Sequence, residues 1–230
     1  FSSPIGLEDI VRIKITGEVS KKPSADTLVE VIITKQPTSK SIGEGYIKRL
    51  ISKDNILEQA SALSIAKYNL KTEWNKSIIK ESQLLSKTLI SLEEGCVDLR
   101  KKSFVTIDGK TAKDFDDAVF SEKNKSGELV LYVAIADVGR FVKPQSAMDD
   151  EAIERGTSVY FTQKVIPMLP EIISNNLCSL RPNEDRYCLV CKTNISKEGN
   201  PQEVEFFEAI INSKARLTYE KVGDQMKTKN

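Results

Sequence analysis

The chain has 230 residues, 40% of them hydrophobic, and a formal net charge of +1 from 34 Lys+Arg and 33 Asp+Glu. That length accommodates one large domain or two of ordinary size, and the balanced charge neither requires nor excludes a nucleic-acid partner, because a neutral total can hide a basic groove beside an acidic site. No histidine is present, which excludes Ser-His-Asp and Cys-His catalysis, His-containing zinc sites and a histidine general base. Hydrolysis by such a chain would rest on carboxylates, metal-activated water, Lys or Tyr.

No apolar run approaches the ~20 residues of a membrane span. Phe1-Ser2-Ser3-Pro4 is not a signal peptide and lacks an initiator Met, so the chain is expected to begin inside a longer protein. Residues 1–50 read as β. Val11 to Ile15 alternates apolar and polar, Leu28 to Ile33 follows, and Gly45 to Leu50 closes the group. The joining segments, Lys21-Lys22-Pro23-Ser24 and Pro37 to Ser41, are turn-rich and basic. Three such strands resemble part of a small barrel and are too few to close one.

Residues 54–93 switch to helical spacing. Asp54 is the expected N-cap for a helix carrying Ile56, Leu57, Ala60, Leu63 and Ala66, and a second helix sets Ile78, Leu85, Leu89 and Leu92 on one stripe, with Gly95 ending it. Trp74, between them, is expected as a packing anchor rather than a base-stacking residue.

From residue 103 the pattern is mixed α/β. Leu129 to Ala136 is nearly all apolar and predicts a central strand buried on both faces. Gly127 marks the turn into it from Phe120, so the segment before the turn and this strand form a hairpin, with Asp137 near the opposite end. Met148 to Arg155 predicts a short helix capped by Gly156, and strands are expected at Thr157–Thr162, Tyr187–Ile195 and Glu203–Ile211. Cys188-Leu-Val-Cys191 has CxxC spacing, but no second pair completes a zinc site and the motif lies in a strand, not at a helix start. The four cysteines, Cys96, Cys178, Cys188 and Cys191, are expected as reduced thiols of a cytosolic protein.

The segment richest in chemistry is Ile107-Asp-Gly-Lys-Thr-Ala-Lys-Asp-Phe-Asp-Asp-Ala118, with aspartates at 108, 114, 116 and 117. Carboxylates held this close repel one another unless a cation lies between them. The flanking Phe104, Val105, Phe115, Val119 and Phe120 are not what a solvated acidic turn carries. If the segment is extended, Asp114 and Asp116 share a face, Asp117 points across the strand unless the backbone bulges, and Asp108 comes from the preceding strand. Such hard oxygen ligands suit Mg²⁺ or Mn²⁺, with which a phosphodiester can be hydrolysed without histidine. A calcium loop does not fit, since no Gly stands at its sixth position and no Glu at its twelfth.

This run, from Thr106 to Val119, resembles the signature of the ribonuclease II / ribonuclease R family of processive 3′→5′ exoribonucleases. The likeness continues through Val133-Ala-Ile-Ala-Asp-Val-Gly-Arg-Phe-Val142, Arg155-Gly-Thr-Ser-Val-Tyr-Phe161, Val165-Ile-Pro-Met-Leu-Pro-Glu171, Ser174-Asn-x-Leu-Cys-Ser-Leu-x-Pro182 and Ile211-Asn-Ser-Lys-Ala-Arg-Leu-Thr-Tyr-Glu-Lys-Val222. The resemblance covers roughly residues 98–222 and is nearest in wording to the ribonuclease R branch; residues 28–95 look, more loosely, like the family's second cold-shock barrel and its connection.

The resemblance implies an α+β chain: a partial OB-fold (cold-shock) barrel at 1–53, a helical connection at 54–97, and the N-terminal part of a mixed α/β RNB catalytic domain at 98–230. It implies that Asp108 and Asp117 hold the main Mg²⁺, that Asp114 is a further carboxylate holding a metal or shaping the site, and that Asp116 is the critical catalytic aspartate. It implies that Tyr160 clamps the 3′-terminal nucleotide of single-stranded RNA and that Tyr219 lies near the scissile nucleotides. Arg155, with Arg181, Arg186 and Lys164, is a candidate phosphate contact, while Asn175 and Cys178 are expected as scaffold.

The likeness also breaks. A downstream arginine and glutamate and a C-terminal OB-fold barrel have no counterpart, the first cold-shock strands are missing, and histidines common in the family around the segment matching Ala66–Trp74 are absent. A truncated catalytic domain is therefore expected, with core surface to be covered by a complementary polypeptide or an oligomeric partner.

Overall fold

The structure is a computed structural model, and it describes residues 12–17, 23–24, 27–38, 41–51 and 55–228. Val11, Lys21, Lys22, Ser39, Lys40, Asp54 and both termini lie outside these residues. In chain order the strands and helices are β1 (Ile13–Ile15), β2 (Val29–Lys35), β3 (Gly43–Leu50), α1 (Ile56–Lys67), α2 (Lys76–Leu85), β4 (Val97–Asp98), β5 (Val105–Asp108), β6 (Asp117–Lys123) and β7 (Leu129–Ala136). They continue with α3 (Ala147–Arg155), β8 (Val159–Tyr160), β9 (Val165–Ile166), β10 (Asp185–Ile195), β11 (Pro201–Asn212), β12 (Ala215–Thr218) and α4 (Tyr219–Lys227). The fold is thus α+β, as expected. The chain divides into two compact units, one of 1–73 with 159–166 and one of 74–158 with 167–230. The expected helical connection is shared between them: α1 belongs to the first and α2 to the second.

In the first unit β3 lies between β1, which it pairs in parallel, and β2, which it pairs antiparallel. Gly45 permits this pairing, because a Cβ there would stand 2.5 Å from the Ile32 carbonyl oxygen. The helix cap is Asn55, whose side chain accepts from the Glu58 amide at 3.0 Å. The buried face of α1 is carried by Ser61 and Ala62, not by the expected stripe: Ile56 is 78% exposed and Leu57 44%. Apolar residues fall on every side of this helix, so its periodicity does not single out a face.

The second unit is built on a seven-stranded sheet in the order β12-β5-β6-β7-β10-β11-β4. Antiparallel pairing of β6 with β7 makes the expected hairpin, turned at Gly127 with φ +81°. Asp137 follows the end of β7 that meets the acidic run, since the Ala136 amide donates to the Asp116 carbonyl at 2.9 Å. It therefore lies at the end of the hairpin opposite the turn, as expected, because two antiparallel strands return the chain to where it began. β7 is the central strand but buries only one face. Val130, Tyr132, Ala134 and Ala136 point into the core, whereas Leu129 and Ile135 are 42% and 48% exposed.

The core on that buried face includes the ring trio Phe104, Phe120 and Tyr132, Ile173 and Leu177 of a short π-helical turn, and Leu180, Cys188 and Ile211. α2 stops at Leu85, two turns into the expected stripe, and Leu89 is 88% exposed. The cause is tertiary. The Tyr187 hydroxyl accepts from the Ser91 amide at 3.1 Å and donates to the Ser91 carbonyl at 2.8 Å, which holds that backbone out of a helical ladder. α3 runs as expected from a Ser146 cap to Gly156, whose φ of +70° ends it.

Candidate metal centre

The acidic run is not an extended strand. β5 ends at Asp108, β6 begins at Asp117, and the residues between them form a loop pinned at several points. Arg216 on β12 donates to the carbonyls of Gly109 and Lys110, each at 2.7 Å. The Ser179 hydroxyl donates to the Lys113 carbonyl at 2.8 Å and accepts from the Phe115 amide at 3.1 Å. The Leu180 amide donates to the Phe115 carbonyl at 2.8 Å, and the buried Phe115 ring anchors the turn in the core. Arg186, itself buried, donates to the Ser179 carbonyl at 2.9 Å and so steadies the residue that steadies the loop.

These contacts bring three of the four aspartates together. One carboxylate oxygen each from Asp108, Asp116 and Asp117 lies within 4.8 Å of the others. Asp108 is buried, Asp117 half-buried and Asp116 exposed, a gradient from the core to an open side. Asp114, half-buried, is not one of the three. The expectation that Asp114 and Asp116 would share a strand face fails because no strand forms there; Asp116 joins its neighbour Asp117 instead.

Burial raises the pKa of Asp108, and the charges of Asp117 and Asp116 raise it further; the Arg216 guanidinium pulls it down. Burial, then the charge of Asp116, likewise raises Asp117. Asp108 Oδ2 is buried without a hydrogen-bond partner, as are Thr106 Oγ1 beside it and Arg216 Nε. An orphaned buried carboxylate oxygen facing two more carboxylates is costly unless a cation is held there. An all-oxygen donor set open on one side fits Mg²⁺ or Mn²⁺, which keep water or phosphate ligands. The three aspartates would hold such an ion.

Register brings the backbone before Tyr219 alongside Asp108. β12 pairs with β5 in parallel, Thr218 opposite Asp108, so the residue after Thr218 emerges beside the buried ligand. Tyr219 opens α4, capped by the Thr218 hydroxyl, and its side chain is 63% exposed. Tyr160 belongs to the first unit, on the β8–β9 hairpin, and is 65% exposed. Arg155 is not displayed to solvent: its side chain is 5% exposed and ion-paired with Glu151. Trp74 is half-buried, as an anchor should be, and its partner is Arg155, whose guanidinium carbon lies 3.6 Å from the ring centroid.

Of the other basic candidates, Arg186 is spent on the scaffold, Arg181 pairs with Glu184 at the surface, and Lys164 is exposed. Asn175 lies in the π-helical turn. All four cysteines are free thiols. Cys188 is buried and Cys191 half-buried on opposite sides of β10, so the CxxC spacing does not bring them together. Burial pushes the Cys178 and Cys188 thiols up to about 12. Sequence reasoning missed the bracing roles of Ser179 and Arg216, which lie in quoted family-like segments, and of Arg186, read from the sequence as a candidate phosphate contact; nothing local says that any of them braces a loop distant in sequence.

A family model described as the RNB domain matches residues 96–230. Ribonuclease R of Vibrio parahaemolyticus serotype O3:K6 is 45% identical over 180 residues, covering 78% of this chain and 22% of that protein. Ribonuclease R of Escherichia coli K12 is 41% identical over 204 residues, 86% of this chain and 25% of that protein. The chain therefore spans about a quarter of the length of these curated relatives. Among solved structures, Mycoplasma genitalium RNase R in complex with ribose methylated single-stranded RNA superposes with a TM-score of 0.78 at 26% identity, over 96% of this chain and 34% of that one. Yeast Ssd1, a pseudonuclease, shares the fold at a TM-score of 0.64 and 17% identity, over 88% of this chain and 26% of that one. The carboxylate cluster, the strands that carry it and these likenesses agree: the chain belongs to the ribonuclease II / ribonuclease R family of RNB-domain exoribonucleases.

Proposed function

We propose that this chain carries the metal-ligand part of a Mg²⁺-dependent 3′→5′ exoribonuclease, with Mn²⁺ as an alternative ion, acting on the 3′ ends of single-stranded RNA in the cytoplasm and releasing 5′-nucleotides. The observation that carries the reading is the convergence of Asp108, Asp116 and Asp117 within 4.8 Å, with an orphaned buried oxygen on Asp108. A bound ion would activate water and stabilise charge on the phosphate and the leaving oxygen. Asp108 and Asp117 hold that ion from the strand ends. Asp116, on the open side, orients toward the attacking water or a second ion, and Asp114 shapes the loop.

Tyr160 offers an exposed aromatic face for the 3′-terminal base, a sequence-tolerant contact worth ~1–3 kcal/mol. Tyr219 stands beside the scissile nucleotides. In domain terms, residues 1–53 act as part of an OB-fold barrel, 54–97 as a connection and 98–230 as the N-terminal portion of the catalytic domain, completed by a further polypeptide segment or an oligomeric partner. No helix among the described residues is long and apolar enough to cross a membrane.

The test is shortening of a 3′-tailed single-stranded RNA by this chain with and without Mg²⁺, beside Asp116→Asn. Loss of activity in the variant by ~10²–10³-fold or more is expected, the scale of removing one electrostatic contact to the reacting group; equal rates would sink the role given to Asp116. A second reading is a module that holds RNA or a polypeptide without turnover. The exposed rings of Tyr160 and Tyr219 favour it, because stacking on a base needs no metal ion. RNA binding that weakens steeply with salt, with no cleavage in Mg²⁺ or Mn²⁺, would select that reading.

A further inference from the structure

We propose that Arg155 is a positioning residue that clamps the base of the Tyr160 hairpin, and that RNA binding depends on it through Tyr160 and not through a phosphate contact. The proposal rests on the reading of Tyr160 as an RNA-stacking residue.

Arg155 ends α3. One turn back, Glu151 Oε1 accepts from its Nε at 2.9 Å, and the two side chains are 5% and 6% exposed. Its guanidinium stacks on Trp74 at 3.6 Å from the ring centroid, and its Nη1 donates to the Pro167 carbonyl at 3.1 Å. The next residues leave the helix at Gly156, and the Ser158 hydroxyl accepts from the Met168 amide at 2.9 Å. All of these contacts lie within the second unit. They tie residues 155–158, where the chain leaves that unit, to residues 167–168, where it returns.

Between those stems the chain makes the β8–β9 hairpin, with Tyr160 opposite Val165 and the Phe161 amide donating to the Lys164 carbonyl at 2.8 Å. Two strands of two residues each have little stability of their own. At their base they continue into the stem, which one planar, donor-rich side chain braces beside the Ser158–Met168 bond. A lysine could supply the charge but not the stack and the fork together. A guanidinium buried this far, with its face on an indole and its nitrogens on a carboxylate and a carbonyl, is built to hold protein rather than to meet a phosphate.

The test uses the whole chain in EDTA, a 3′-tailed single-stranded oligonucleotide, and binding measured over a range of salt. Arg155→Gln is expected to weaken binding by roughly the factor seen for Tyr160→Ala, about five- to a hundredfold. Its effect should vanish in the Tyr160→Ala background, and the slope of log affinity against log salt should not change. A lost phosphate contact would instead lower that slope by about 0.7 and add to Tyr160→Ala; that result overturns the proposal.

Because removing one partner of a buried pair can unfold a protein, Glu151→Leu/Arg155→Met is the second variant. It deletes one charge of each sign and leaves apolar packing, which buried pairs generally tolerate. The folded double variant should bind RNA as weakly as Arg155→Gln, and wild-type affinity in it overturns the proposal. Trp74 is the sole tryptophan of the sequence. Its emission should shift in both variants, and trypsin should cut faster after the exposed Lys164. Unchanged emission and cleavage overturn the clamp whatever the RNA result. Wild-type affinity in Tyr160→Ala, with emission and cleavage altered in the Arg155 variants, overturns the RNA reading of Tyr160 and leaves the clamp standing.

Discussion

The second unit holds two clusters of carboxylates that the chain treats in opposite ways. Around Arg140, which is 19% exposed, Asp137 accepts at 2.9 Å, Glu93 accepts at 2.5 Å and Glu208 pairs with the same guanidinium. The carbon of that guanidinium lies 4.3 Å from the Tyr187 ring centroid. Every acid there meets a protein cation. At Asp108, Asp116 and Asp117 three acids meet one another, and Arg216, whose charge is felt by Asp108, donates from Nη2 to the backbone of Gly109 and Lys110. The same sheet that can satisfy carboxylates fully leaves this set unsatisfied. A fold does that where a ligand supplies the missing charge.

The difference can be tested by supplying or removing the cation at each place. The largest effect is expected from the divalent ion itself. Free Mg²⁺ at ~100 times its dissociation constant should stabilise the fold by about 2.7 kcal/mol, read as a rise in melting temperature that Asp108→Asn removes. The pH dependence gives the sign. Asp108 and Asp117 have raised values in the folded state, so between the ordinary carboxylate range and those raised values the folded chain holds more protons than the unfolded one. Without metal, stability should therefore fall as pH rises through that window, and excess Mg²⁺ should cancel the fall. A metal-free melting temperature that does not fall as pH rises through that window, or no response to Mg²⁺, would break the comparison.

Arg140→Met should come next, at roughly 2 kcal/mol, since it leaves the half-buried Asp137 unpaired and strips a cation from the Tyr187 ring. Chemical denaturation measures it, and Mg²⁺ should not rescue it. Rescue would mean that the two clusters are not different in kind. The smallest effect is expected from Arg216→Gln. It removes two hydrogen bonds that hold the acidic loop and one charge that lowers Asp108, and should weaken Mg²⁺ binding about five- to tenfold, or ~1 kcal/mol, by calorimetry. Unchanged affinity would remove Arg216 from the metal site.

Much of this was legible in the chain. The hairpin of β6 and β7 follows from two apolar runs and Gly127, α3 from its spacing and Gly156, and the metal site from four aspartates in an apolar setting without histidine. The misses share a cause. The phase of α1, the early end of α2, and the braces Ser179, Arg186 and Arg216 each depend on a partner distant in sequence: Tyr187 reaches Ser91, and Arg216 reaches Gly109. Periodicity sees neighbours three or four residues away and nothing beyond.

By itself the sequence determined that the chain has an α+β core, that its chemistry is carboxylate and metal chemistry, and that RNA is the partner to test. Residue types and their spacing carry the first two conclusions, because hard oxygen ligands and the absence of an imidazole are facts of composition; the RNA partner comes from the resemblance of the motifs to an exoribonuclease family. Only the tertiary structure decided which aspartates are a set. Asp108, Asp116 and Asp117 converge, and Asp114 falls outside, because a loop pinned at 109, 113 and 115 replaces the extended strand that local pattern suggested. It also decided what Arg155 does. A charge in a motif looks the same whether it faces solvent or a tryptophan, and packing alone assigns it.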